Sequence, residues 1–172
     1  LWDNQEMLDR VIKIIDYWTE RLGRLGSWMA LVMVIVMVAI VLLRYAFQVG
    51  SIALQESVMY INAIIFTVGV AYTLKEQGHV RVDVFYNRLS NKGQAMVDMF
   101  GCIVFLMLTS GFIIWSSYDY VGVSWRIREG SAESSGLPFV YLLKSTILAI
   151  PSLIAIQGIA EFLKSFKKFR KG

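Results

Sequence analysis

The chain has 172 residues, of which 56% are hydrophobic and 17% charged, with a formal net charge of +4. Soluble domains carry about 45–50% apolar and about 25% charged residues, so this composition favours an integral membrane protein. The single cysteine excludes chemistry that needs a cysteine pair. Because the basic residues stand at the ends of apolar segments, the charge does not indicate nucleic-acid binding.

Residues 1–24 are predicted to form an amphipathic helix. Apolar residues recur there at helical spacing, and the charged residues fall mostly on the opposite side. This pattern is typical of a helix that lies along the inner membrane surface, with Trp18 and the later Trp28 as interfacial anchors. A partner-binding helix would show the same pattern. The start, LWDNQEMLDR, is polar and acidic, so no cleavable signal peptide is expected.

Four long apolar segments follow. A helix needs about 20 mostly apolar residues to cross about 30 Å of hydrocarbon. The sequence predicts four such spans, within a single all-α membrane domain covering residues 1–172: 25–48, 52–75, 94–121 and 137–163. Pro151 predicts a kink in the last one.

The basic residues predict the orientation of these spans. Of the 17 lysines and arginines, 13 fall before the first span, between the second and third, or after the fourth, and four fall on the other side. Positively charged loops favour the cytoplasmic side, so both termini are predicted to be cytoplasmic.

The first two spans carry polar residues that we expect to contact other parts of the chain or a partner. Arg44 and Glu56 lie six residues either side of Gly50, at the first outer turn, and are predicted to form an ion pair. A contact to a second subunit or a lipid headgroup, or proton coupling, remains open. Glu56, Ala63 and Thr67 share one helical face, where small residues let another helix of this chain or of a partner approach closely.

The inner connector, KEQGHVRVDVFYNRLS at 75–90, holds the only histidine, His79. A metal site needs three or four suitable ligands, so none is expected here. Asp83 is predicted to cap a short amphipathic helix at the membrane surface. His79 and Arg81 are then expected near lipid headgroups or a neighbouring protein.

The outer connector, SWRIREGSAESSGLPF at 124–139, is the largest exposed segment on the opposite side. It is interpreted as a solvated loop or as a docking rim for an external soluble protein, formed by Arg126, Arg128, Glu129 and Glu133. In the fourth span, Lys144 and Glu161 are expected to extend to the outer and inner surfaces, because long side chains near helix ends reach the polar interface.

The sequence lacks the residues that several classes of membrane protein require. One histidine cannot supply a pair of haem ligands, and a disulfide oxidoreductase needs paired cysteines. No inverted repeat or Gly- and Pro-broken pair of spans is evident, as substrate-binding half-helices would require. We therefore predict a helper subunit with no catalytic, substrate-binding or metal site and no cofactor, rather than an enzyme.

Four stretches in order carry a family resemblance: LLRYAF, QES, GVAYTLKEQGHVRVDVF and SWRIREGSAESSGLPFVYLLKS. With them the chain resembles the small membrane (Q, DctQ-like) subunit of tripartite ATP-independent periplasmic (TRAP) transporters. The resemblance implies a bacterial inner-membrane complex. In it a large elevator-type membrane subunit carries the substrate and sodium sites, and a periplasmic binding protein delivers a small organic acid, such as a carboxylate or sulfonate. The small subunit braces the large one.

The resemblance also implies residue roles. Arg44 and Glu56 match polar positions flanking the first outer turn. His79, Arg81 and Asp83 match an H-x-R-x-D pattern that orients the inner connector. The segment from Glu129 to Lys144 matches a subgroup whose outer loop reads E-x-S-x-E followed by G-L-P, although Ser135 stands where glycine is common.

Two other functions remain open from the sequence. The chain could be a self-contained homodimeric exporter that uses Glu56 as its proton-exchange carboxylate. It could also be a membrane-anchored interaction protein unrelated to transport. Membrane lipids are expected partners under every interpretation.

Overall fold

The computed structural model describes residues 2–76, 86 and 88–171, and this part of the chain is helical with short connections. Its four long helices are each long and apolar enough to cross a membrane. They are α1 (Trp2–Tyr45), α2 (Ile52–Lys75), α3 (Asn91–Arg126) and α4 (Val140–Lys171). The prediction of an all-helical fold with four spans is confirmed.

Local sequence signals set where two of the helices begin. Ser51 precedes α2, and its hydroxyl accepts a hydrogen bond from the backbone N–H of Leu54 at 3.3 Å. Ser90 precedes α3 and accepts from Gly93 at 3.2 Å. Both hydroxyls satisfy N–H groups that have no partner within the helix. Serine caps therefore define the starts of α2 and α3.

The structure differs from the sequence prediction at the N-terminus, because no boundary exists near residue 24. The segment contains no proline and continues without a break into the first span, giving one helix of 44 residues. At a rise of 1.5 Å per residue such a helix is about 66 Å long, roughly twice the hydrocarbon thickness. Its first half packs along α4, with Asp16 facing α4, while Val11, Trp18 and Leu25 remain exposed.

Helix α4 is the centre of the structure. It contacts α1, α2 and α3, and α1 also packs on α2. Two glycines let α1 approach α2 closely. A Cβ atom on Gly23 would stand 2.5 Å from Cδ2 of Tyr72, and one on Gly26 would stand 2.7 Å from Cγ2 of Val68. Small residues at such crossings are typical of membrane helix packing.

Helix α3 contains an irregular element, and α4 contains a proline. Residues Cys102–Met107 of α3 form a π-helical segment, which widens the turn locally. Gly158 of α4 lies opposite, and its carbonyl accepts a hydrogen bond from Cys102 Sγ at 3.7 Å. Pro151 lies inside α4, which continues past it to Lys171. The widened turn of α3 thus faces a glycine of the central helix.

Candidate functional site

Polar contacts concentrate at the two ends of the bundle. We name the ends after the predicted orientation: the outer end carries the α1–α2 turn, and the inner end carries the chain termini. The contacts at the two ends differ in the groups they use, and they are described separately.

At the outer end, Glu56 holds the loop between α3 and α4. One carboxylate oxygen, Oε1, accepts a short hydrogen bond from Ser131 Oγ. The other, Oε2, accepts one from the backbone N–H of Leu137 at 2.6 Å. Ser131 N donates in turn to the Leu137 carbonyl at 3.0 Å, which closes the loop. We call these three residues the outer clamp. It ties the start of α2 to both branches of the loop.

A glycine makes the outer clamp possible. A Cβ atom on Gly136 would stand 2.6 Å from Oε1 of Glu56 and would also overlap the Ser131 side chain. Any side chain at this position therefore pushes the carboxylate away from its donors. The G in the G-L-P motif has a steric function here.

The ion pair predicted between Arg44 and Glu56 is replaced by the clamp. Within the part of the chain that the structure describes, Arg44 is exposed and Glu56 takes its donors from the loop. The physical reason is that the loop brings an N–H and a hydroxyl onto both carboxylate oxygens. Arg44 and Glu56 lie at equal distances from the α1–α2 turn, which suggests a similar depth in the membrane. That similarity does not determine which groups they bind.

A second contact fixes the start of the same loop. Lys144 Nζ lies 2.7 Å from both carboxylate oxygens of Glu129 and 4.2 Å from the centre of the Tyr120 ring. Hydrogen bonds from Lys144 are the main reason that the pKa of Glu129 lies below its usual range. The Lys144 side chain thus reaches the loop at the outer end.

The predicted docking rim divides into one internal and three exposed residues. Glu129 is half-buried by its contact with Lys144, whereas Arg126, Arg128 and Glu133 are exposed. Arg128 has a left-handed backbone with φ 50° and places its guanidinium 5.6 Å from the centre of the Tyr141 ring. Contacts of Glu129 and Arg128 with α4 thus hold the start of the loop, and the other charged side chains are exposed. Docking itself stays a prediction.

At the inner end, a buried polar network joins α1 to α4. Gln157 is fully buried; its oxygen accepts from Thr19 Oγ1 at 2.7 Å, and its nitrogen donates to Asp16 at 3.0 Å and to Glu161 at 3.3 Å. Lys164 Nζ bridges the two carboxylates, 3.0 Å from Asp16 and 2.7 Å from Glu161. We call these five residues the inner network. Every polar group of Gln157 has a partner, as burial requires.

Sequence reasoning missed the inner network. Glu161 was expected to extend to the inner interface, but its residue surface is only 8% exposed because it points toward Gln157 and Lys164. A signal was present: two acidic residues, Asp9 and Asp16, precede the first span and two lysines, Lys164 and Lys167, follow the fourth, on helices that run in opposite directions. Lys167 Nζ indeed lies 2.6 Å from an Asp9 carboxylate oxygen.

The small-residue face of α2 points into the chain. Thr67 is buried and Ala63 is half-buried, while α2 contacts α1 and α4. The Thr67 hydroxyl donates to the carbonyl of Ala63 at 2.6 Å, so it needs no partner from another helix. These two residues therefore serve internal packing in the structure.

The remaining predicted residues lie at the surface or outside the described part of the chain. Trp18 and Trp28 are 62% and 70% exposed, as membrane anchors need to be. His79, Arg81 and Asp83 lie outside the described residues, as does most of the short helix predicted after Asp83. Among the residues that are described, no group of three His, Cys, Asp or Glu side chains could hold a metal ion.

Comparison with known proteins adds one match. The model of a family described as "Tripartite ATP-independent periplasmic transporters, DctQ component" matches residues 33–168. This range contains the whole outer clamp, but it leaves out Asp16 and Thr19 of the inner network. The comparisons with curated proteins and with solved structures gave no match.

Proposed function

This chain belongs to the DctQ component family of the tripartite ATP-independent periplasmic transporters, and on that premise we propose that it braces the large membrane subunit of such a transporter. The family is a transporter component rather than an enzyme family. In this proposal the large subunit binds and moves the solute. The small subunit holds a fixed position in the membrane beside it.

The outer clamp is the observation that best supports a bracing role. An elevator-type carrier needs a stationary part that does not slide with the moving part. In this chain two charged groups of the spans connect elements of the chain to one another: Glu56 binds the outer loop, and Lys144 binds Glu129. Contacts of this kind stiffen a frame and leave its apolar faces available for lipid and for a partner.

The location follows from the charge distribution and the family. We place the chain in the bacterial inner membrane as a multi-pass protein, with both termini in the cytoplasm, since the side with 13 basic residues is favoured there. The loop at 127–139 then faces the periplasm. Arg126 at the end of α3 and the exposed Arg128 and Glu133 of this loop form the proposed docking rim for a periplasmic substrate-binding protein.

The transported solute is proposed to be a small organic acid, a carboxylate or a sulfonate, driven by sodium. Neither the solute nor the ion is assigned to residues of this chain. The geometry of Glu56 argues against the alternative of a self-contained proton-coupled exporter. Both of its carboxylate oxygens accept hydrogen bonds from the loop, which favours a fixed structural anion over a group that exchanges protons.

Co-purification and uptake test this proposal. Glu56→Ala removes both acceptors of the outer clamp, so we expect less large subunit to co-purify in mild detergent and slower uptake by the reconstituted complex. Gln55→Ala changes the exposed neighbouring side chain and serves as the matched control. Liposomes that hold this chain alone should show no uptake.

Two results would contradict the proposal. Solute transport by this chain alone would favour the exporter. Normal assembly and normal uptake by the Glu56→Ala complex would show that the clamp does not contribute to bracing.

A further inference from the structure

The first half of α1 binds α4 through two acidic residues and exposes three basic ones. Asp9 and Asp16 face α4, where Lys167 and Lys164 bind them. The basic side chains at positions 10, 13 and 21 are exposed. Asp9 and Asp16 are thus neutralised within the chain, whereas Arg10, Lys13 and Arg21 are left accessible to an external anion.

Among the side chains that the structure describes, those of residues 5–76, 86 and 88–170, Arg10 and Lys13 have no ion-pair partner. They line an open groove of about 530 Å³ whose wall also includes Tyr17 and Trp18. Glu6 and Asp9 line it too, but Asp9 is already bound by Lys167. The groove therefore combines unpaired cations with aromatic side chains.

The aromatic part of this surface is exposed and ordered by its own contacts. Tyr17 and Trp18 are 52% and 62% exposed, and their rings meet edge to face at 5.9 Å between centroids. The Arg21 guanidinium lies 5.3 Å from the centre of the Tyr17 ring. Tyrosine and tryptophan interleaved with arginine are enriched where a protein crosses the headgroup region of a bilayer.

The position along α1 gives the depth of these residues. Arg24 is the last charge before the apolar run that ends at Arg44. Tyr17, Trp18 and Arg21 precede Arg24 by three to seven residues, which is about 5–10 Å along the helix axis and reaches the headgroup region. Arg10 and Lys13 lie roughly 10 Å further out, a distance over which they still attract an anionic surface.

We propose that this surface binds the headgroup of an anionic phospholipid in the leaflet where α1 enters the membrane. Arg21 contacts the phosphate, Tyr17 and Trp18 pack against the glycerol and upper acyl region, and Arg10 and Lys13 add long-range attraction. A negatively charged protein partner fits the cations, but it does not account for exposed aromatic rings at headgroup depth. The lipid accounts for both.

Lipid titration of the purified full-length chain in non-ionic detergent tests the proposal. Bound lipids are counted by native mass spectrometry, and the melting temperature is measured with phosphatidylglycerol, phosphatidylcholine or glycerol 1-phosphate. We expect phosphatidylglycerol to bind in preference to phosphatidylcholine. Arg21→Gln should weaken that binding about fivefold, and the triple change of Arg10, Lys13 and Arg21 to Gln should weaken it at least about 25-fold.

A matched control removes three exposed basic residues from the same end of the molecule: Arg88→Gln, Lys92→Gln and Arg170→Gln. It has the same net charge as the triple variant and should keep the preference. Circular dichroism and a single elution peak establish that each variant is folded.

Four results would overturn the proposal. Equal binding of the two lipids by the wild-type chain would exclude anion selectivity, and equal losses in both triple variants would reduce the effect to net charge. Stabilisation by glycerol 1-phosphate as strong as that by phosphatidylglycerol would indicate a soluble phosphate site. Loss of a protein partner from the triple variant, with its lipid preference intact, would make the surface a protein interface.

Discussion

At the outer end one carboxylate takes both of its donors from a single short loop, whereas at the inner end five side chains connect α1 to α4 in series. The outer clamp uses a hydroxyl and a backbone N–H, and it leaves no room for a Cβ at Gly136. The inner network uses long side chains, and Asp16 and Glu161 each accept from both Gln157 and Lys164.

The difference predicts unequal tolerance to substitution. A backbone donor cannot move without moving the loop, so a single change at the outer clamp disturbs all its contacts together. In the inner network a lost donor leaves a second one on each carboxylate, and long side chains can adjust. We therefore expect steric changes at the outer end to cost most and surface charge changes at the inner end to cost least.

The largest effect is expected from Gly136→Ala. The added methyl group overlaps Ser131 and the Glu56 carboxylate, and overpacking of this kind costs about 1–3 kcal/mol of the free energy of unfolding. Thermal unfolding in detergent measures it. Gly122→Ala is the control, because nothing lies within 4 Å of its Cβ position. Equal melting temperatures for the two variants would show that the clamp is not rigid.

A smaller effect is expected from Gln157→Leu. Leucine keeps the buried volume but removes the acceptor of Thr19 and one donor to each carboxylate, while Lys164 continues to bind both. Interhelical hydrogen bonds in membrane proteins contribute about 0.6–1.7 kcal/mol, so we expect a loss of about 1–2 kcal/mol. Combining it with Thr19→Val should add little. If the losses in the free energy of unfolding of the two single variants add fully in the double variant, the two residues do not act as one network.

A still smaller effect is expected from Lys167→Gln at the far inner end. Its ion pair with Asp9 is partly exposed, with 28% and 42% of the two side chains accessible. Exposed pairs contribute about 0–1 kcal/mol and are screened by salt. The variant should therefore differ from the wild type at low salt and match it at about 1 M salt. A difference that persists in high salt would indicate a buried contact.

A dependence on pH is expected at the outer end, where it concerns Glu129. Hydrogen bonds from Lys144 place its pKa in the folded chain below the unfolded value of about 4.3. Its stabilising contribution is therefore fully present above that value and is lost as the pH falls through the lowered pKa. Hydrogen-exchange rates of the 127–139 loop are measured in the wild type and in Glu129→Gln, and their ratio should be constant from pH 8 to 5. The two should converge in more acidic solution, and convergence already near pH 6 would contradict this assignment.

The sequence predicted the spans more successfully than it predicted the contacts. Long apolar runs located all four helices, yet they did not show that residues 1–24 continue into α1. The symmetry of Arg44 and Glu56 about Gly50 suggested an ion pair, because only two charges were considered. The hydrogen-bond donors to Glu56 are Ser131 and Leu137. They belong to the loop between α3 and α4, and nothing in the sequence around the α1–α2 turn indicates that this loop lies close to Glu56.

The sequence by itself determined the number of membrane-spanning helices and the side favoured for the basic loops. These are local properties, because a backbone in hydrocarbon must satisfy its hydrogen bonds within its own segment. Only the tertiary structure decided which polar groups meet. Ser131 reaches Glu56 across 75 positions and Thr19 reaches Gln157 across 138, because the helices pack in a particular order around α4. No local periodicity encodes that order.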